Sequence, residues 1–140
     1  MKTIKENNTH IIKLEKGDKV IESLVNYAKE NELNFCKVEL FGAVSNVELG
    51  YMTGPGIYDW KTFNEGGYEL LSAKGSIAWH EGKPQVHMHA SISGKDFKAY
   101  GGHVKEMMIH GVGEVFLEVF LDKKMKKAFD EKSGLMLWDI

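Results

Sequence analysis

Between Gln85 and Ser93 the chain reads QVHMHASIS, with apolar and polar residues in strict alternation. A period of two places successive side chains on opposite faces of an extended strand, an order that a helix does not sort. Val86, Met88, Ala90 and Ile92 form one face, and His87, His89, Ser91 and Ser93 form the other. A strand that is apolar on one side and polar on the other belongs in an antiparallel sheet with one solvated face.

The rest of the chain supplies partners for it. HIIKLEK (10–16), FCKVELFGAV, YDWKTF, YELLSAKGSIAWH and GEVFLEVFL read as further strands. Cys36, Val38 and Leu40 share one face. Val115, Leu117 and Val119 oppose Glu114, Phe116, Glu118 and Phe120. NVELGYM reads as a separate strand after a tight break at Ser45-Asn46. Turn signals punctuate the series at Gly54-Pro55-Gly56, Glu65-Gly66-Gly67, Glu81-Gly82-Lys83-Pro84 and Gly94-Lys95-Asp96, and the 15 glycines suit a turn-rich chain. One helix interrupts the pattern. Val20, Ile21, Leu24, Val25 and Ala28 recur at helical spacing, with Asp18 as the expected N-cap and the end near Asn31. The fold class expected is α+β: a mainly antiparallel β-sheet with one major helix packed on it. A length of 140 residues and a hydrophobic share of 43% fit a single domain over 1–140 with its own core.

Charge and cysteine usage narrow the functions. The net charge is −2, and all 18 basic residues are lysines. Arginine is the usual bidentate reader of base edges and of narrow minor grooves, whereas lysine still neutralises phosphates. DNA as a partner is therefore weakly supported. The basic run DKKMKKAF, with Lys123, Lys124, Lys126 and Lys127, is expected to be a solvated turn after a strand. Cys36 is the one cysteine, so no intrachain disulfide forms, and it reads as a buried, inert thiol in a reducing, cytoplasmic setting. There is no apolar run of 18 residues or more and no apolar stretch of signal-peptide type near the start, so no membrane association is expected.

The polar face of QVHMHASIS carries the chemistry. His87 and His89 point the same way, roughly 7 Å apart along a strand. His103 follows Gly101-Gly102 on the returning segment, where the glycines permit a bend that re-aims it beside the other two. Three imidazoles can hold a divalent metal such as zinc and leave a fourth position open, a pattern of catalytic rather than structural sites. The alternative is a wet strand face with no ligand. Ser91 lies on the same face as the candidate substrate contact. Glu114 is the candidate acid/base, or an exposed strand carboxylate. His80 is expected to close a strand at the HEGKP turn, and His110 has no assigned role.

The run HMHASISGKDFKAYGGHV resembles the signature of the PPC (plants and prokaryotes conserved) domain. FGAVSNVELGY, YELLSAKGSIA, GEVFLEVF and FDEKSGLMLW are similar to further family segments in the same order, from about His10 to Trp138. The resemblance implies an antiparallel sheet with packed helices that assembles as a homotrimer. Prokaryotic single-domain members are described in the family as DNA-binding or regulatory by analogy with plant members. Those carry Arg-Gly-Arg-Pro AT-hooks, which this arginine-free sequence lacks. The fold so implied is also similar to that of acetolactate decarboxylase, a zinc enzyme, and the matching metal positions are His87, His89 and His103. Two functions follow as expectations. One is a non-enzymatic homotrimeric module, a DNA-associated or regulatory scaffold with a three-histidine metal site, whose surplus aromatics Trp60, Phe63, Trp79, Phe116, Phe120 and Trp138 are candidates for a subunit interface. The other is a metal-dependent enzyme acting on a small polar substrate.

Overall fold

A computed structural model describes residues 1–120 and 122–140. Its elements in chain order are β1 (Lys2–Glu6), β2 (Thr9–Glu15), α1 (Val20–Glu30), β3 (Cys36–Gly54), β4 (Ile57–Phe63), β5 (Tyr68–His80), β6 (Lys83–Ser93), β7 (Ala99–Val119), β8 (Lys127–Asp130) and β9 (Leu135–Trp138). Seven strands form one antiparallel sheet in the order β1-β2-β7-β6-β5-β3-β4. β3 and β7 also pair directly, from Cys36 opposite Val119 to Gly50 opposite His103. The sheet therefore curls back on itself, and β3, β5, β6 and β7 close into a ring. β8 and β9 make a separate hairpin.

The ring depends on two long strands that bend where the ladder slips. The expected break at Ser45-Asn46 is a bulge inside the 19-residue β3, not a turn. Asn46 sits there at φ 47°, a left-handed conformation that asparagine tolerates better than most residues. GEVFLEVFL likewise is the far end of the 21-residue β7 rather than a strand of its own. The Glu81-Gly82 turn has φ of 47° and 77°, the paired positive values of a tight two-residue hairpin.

Helix α1 covers the sheet with Val20, Leu24, Tyr27 and Ala28, which are buried with Met88, Ile92, Met107 and Ile109. It ends at Asn31, as its sequence suggests, but it does not begin as expected. Asp18 is not the cap: its Oδ2 accepts from the amide of Glu15, and the N-cap residue is Lys19. Glu106 on β7 supplies the cap instead. Its Oε1 accepts from the amide of Ile21 at 2.8 Å, and its Oε2 from that of Glu22 at 3.2 Å. A carboxylate at this end also complements the helix dipole. His10 and Tyr27, both buried, meet at 3.0 Å between Nδ1 and the phenol, tying β2 to the helix.

Cys36 is fully buried, and burial pushes its thiol up to about 12, as an inert core cysteine requires. The aromatics named above divide. Phe63 and Trp79 are core residues, whereas Trp60, Phe116, Phe120 and Trp138 are exposed. Trp79 donates through Nε1 to the carbonyl of Leu33 at 2.8 Å.

Candidate metal centre

The alternation of β6 survives in three dimensions as far as Ile92; Ser93, expected on the polar face, is buried. Met88, Ala90 and Ile92 are buried, while His87, His89 and Ser91 lie on the opposite, open face. His103 on β7 stands directly across from His89, and on its other side it pairs with Gly50 of β3. One imidazole therefore comes from the register of the β6–β7 ladder and two from the pleat of β6.

The three rings converge. Their centroids are 5.3 Å apart for His87–His89, 5.2 Å for His87–His103 and 5.4 Å for His89–His103. One ring nitrogen from each lies within 4.8 Å of those of the other two. A tetrahedral zinc with bonds of 2.0–2.1 Å would draw them to about 3.3 Å from one another, a small turn of each ring. Nδ1 of His103 is buried and has no hydrogen-bond partner among the described residues. An imidazole nitrogen left so needs a partner, and a metal ion is one that a neutral imidazole accepts. The donor set thus fits a divalent cation.

Aromatic residues wall the site on one side. Tyr58 and Trp60 on β4 stack at 5.2 Å, and their rings lie 5.2 Å and 6.0 Å from that of His103. Gly50 makes room for this wall, since a Cβ there would come within 2.7 Å of the Trp60 ring. The shared face of Tyr58 and Trp60 is legible in the sequence, but its apposition to His103 depends on the β3–β4 and β3–β7 registers.

The surroundings favour the uncharged form of His87 and His103. Desolvation, then the positive charges of His103, Lys127 and His89, lowers the His87 pKa to about 4. His103 is also lowered, first by desolvation and then by His89 and Lys127. Neutral imidazole is the form that binds metal. In the metal-free protein this has a stability consequence. Above pH 6.5 neither the folded nor the unfolded state protonates His87. As pH falls from 6.5 towards 4 the unfolded chain takes up a proton that the folded one refuses, so folding loses stability across that window. The urea midpoint is expected to drop more between pH 7 and pH 4.5 in the wild type than in His87→Gln. Equal drops would contradict this account of His87.

The other sequence candidates are placed unevenly. Ser91 shares the open face with His89, two residues on, and pairs with Gly101. Glu114 does not reach the site. It is exposed near the other end of β7, opposite Lys13 and Phe41, eleven residues along the strand from His103, which at the strand rise is about 36 Å of chain. It shares a strand with His103, but length separates them. His80 ends β5, and its Nδ1 lies 3.2 Å from the carbonyl oxygen of Lys127. The lysine run is only partly a solvated turn. Lys123, Lys124 and Lys126 are exposed, but Lys127 opens β8 and is buried. A cavity of about 410 Å³ lies apart from the histidines, among Lys61, Asn64, Tyr68, Lys95, Asp96 and Tyr100.

A curled antiparallel sheet bearing one helix, with a metal-competent histidine cluster on the open face of its central strands, defines a class of small α+β proteins. Within that class the chain belongs to the Plants and Prokaryotes Conserved (PCC) domain family, whose description it matches over residues 1–121. It superimposes on a plant- and prokaryote-conserved protein from Pyrococcus horikoshii with a TM-score of 0.88 at 26% identity, covering 96% of this chain and 92% of that one. A metal-containing protein from Archaeoglobus fulgidus gives a TM-score of 0.86 at 28% identity, over 94% and 93% of the two chains. A protein from Bacteroides thetaiotaomicron, described as a "putative dna binding protein", shares the fold with a TM-score of 0.91 at 23% identity, over 99% and 96%. The AT-hook motif nuclear-localized protein 14 of Arabidopsis thaliana is 28% identical over 122 residues, 85% of this chain. The chain spans only 29% of that relative's length. Among the described residues, no helix is long and apolar enough to cross a membrane.

Proposed function

We propose that this protein is a metal-binding PCC module, a single domain over 1–140 in which His87, His89 and His103 hold one divalent cation. The observation that carries the reading is the convergence of three imidazoles, one of which has a buried ring nitrogen with no hydrogen-bond partner among the described residues. The likeness to the metal-containing protein of Archaeoglobus fulgidus supports it. Three nitrogen donors with an open position suit zinc among the divalent metals. A cation held there would polarise a carbonyl or activate water, chemistry that suits a metal-dependent enzyme for a small polar substrate. DNA recognition draws less support, because the chain has no arginine and a net charge of −2.

We also infer a homotrimer, as the resemblance implies. On the outer face of the sheet Ile4 pairs with Ile11, and Ile11 with Phe116, whose ring stacks on Phe41 at 6.5 Å. All four are exposed in the single chain. A contiguous apolar row of this kind suits a subunit interface.

Elemental analysis tests the metal reading. Protein dialysed against zinc and then freed of excess is expected to keep about one zinc per chain, and a His87→Ala/His89→Ala variant close to none. Equal, near-zero contents would overturn it. Sedimentation tests the assembly: a mass near three times 15.8 kDa is expected, and a monomer at micromolar concentration would remove the trimer.

A further inference from the structure

One rung of the sheet crosses four strands beside the candidate ligands. His89 of β6 is paired with His103 of β7, His103 with Gly50 of β3, and Gly50 with Trp60 of β4. Directly opposed residues point to the same face of a sheet, so Trp60 belongs to the histidine face. Two strand spacings, about 10 Å, separate its backbone from that of His103. Its ring nonetheless lies 6.0 Å from the His103 ring. Gly50 allows this, because a Cβ there would lie 2.7, 2.9 and 3.0 Å from three carbons of the Trp60 six-membered ring. The indole leans across the gap that the glycine leaves, towards the histidines. Tyr58, two residues back on the same face of β4, stacks on it at 5.2 Å and lies 5.2 Å from the His103 ring.

Core packing does not account for the placement. β4 stands at the edge of the sheet, and Trp60 is 44% exposed, whereas Phe63 on the other face of the same strand is buried. Lys105, the next residue after His103 on that face of β7, sets its ammonium 5.5 Å from the Trp60 ring and pairs with Glu48 at 3.4 Å. The far border of the wall is thus a matched pair of charges. On the other flank Ser91 stands across from Gly101, which puts no side chain on the face. The three histidines therefore open onto a surface that is aromatic on one side and unfilled on the other.

We propose that Tyr58 and Trp60 form the aromatic side of a ligand site, and that the ligand class is an aryl carboxylate. Its carboxylate takes the open position of the three-histidine metal, and its ring packs against the two aromatic side chains. The inference rests on the metal reading and deepens it by naming the ligand class. Three neutral imidazoles leave the charge of a divalent cation uncompensated, so an anionic donor is favoured there. Aromatic pairs attract at centroid separations of about 4.5–7 Å, so rings this close to a metal-binding imidazole reach a group bonded to the same metal. An aliphatic ring of equal size gains burial but not this contact.

The test uses the full chain and separates the two claims. Metal-free protein is first titrated with cobalt(II) chloride, followed by its visible absorption. The cobalt-loaded protein is then titrated at neutral pH and matched ionic strength with benzoate, with cyclohexanecarboxylate and with acetate. Wild type is expected to bind benzoate about five-fold or more tighter than cyclohexanecarboxylate, and acetate weakest of the three. Trp60→Leu is expected to bind cobalt within about three-fold of wild type and to lose the preference for benzoate, while Trp60→Phe keeps most of it. Tyr58→Leu serves if Trp60→Leu does not fold. Cobalt binding with no response to benzoate, equal affinities for the two ring acids, or a preference unchanged in the leucine variant would overturn the aromatic site while leaving the metal site standing. Failure of wild type to bind cobalt in the first titration would overturn both.

Discussion

Gly75→Ala is expected to destabilise the fold by about 3 kcal/mol or more and to weaken metal binding in whatever folded protein remains. Gly75 sits mid-strand in β5, between Val38 of β3 and Met88 of β6. A Cβ there would strike the carbonyl oxygen of His87 and come within 2.9 Å of the Met88 Cα. These are backbone atoms inside a closed ring, so no flexible side chain can swing away. The strand must move, and the atom most displaced belongs to a candidate ligand. Urea unfolding measures the first effect and zinc content of the folded fraction the second. A loss below about 1 kcal/mol with full zinc content would show that β6 yields at little cost and that the ring is not rigid there.

The second large effect comes from removing mass rather than adding it. Leu24 lies on the inward face of α1 and is fully buried. Leu24→Ala is expected to cost about 3 kcal/mol, within the 2–5 kcal/mol range set by lost transfer energy plus the cavity left behind. One helix covers this face of the sheet, so few neighbours can relax into the space. Asn26→Ala, on the exposed face of the same helix, is expected to change the urea midpoint by less than about 0.5 kcal/mol equivalent. Similar midpoints for the two variants would mean that α1 is not the lid of the core.

The strands were legible because their two-residue period reports burial directly. Met88, Ala90 and Ile92 turn inward and His87 and His89 turn outward, as the alternation of QVHMHASIS implies. The histidine cluster was legible for the same reason, since His-x-His fixes two rings and a short return brings the third. What composition hides is register and length. Nothing in GEVFLEVFL says that it continues a strand begun at Ala99, so the distance from Glu114 to His103 could not be read. Asn46 looked like a turn because a left-handed residue serves a bulge as well as a bend. Lys127 was hidden in a run of lysines whose other members are solvated, and only the docking of the hairpin on β5 separates it from them. The strands β1, β8 and β9 are short, and their side chains carry too little alternation to stand out from loop.

The capping of α1 by Glu106 has a consequence for how the molecule is made. The carboxylate that completes the first turn of the helix is 85 residues downstream of the amide it receives. During synthesis, a ribosome releases this helix long before its anchor exists. The first turn therefore stays frayed until β7 is in place, so the amino-terminal third cannot mature by itself and the last long strand sets the moment at which it does.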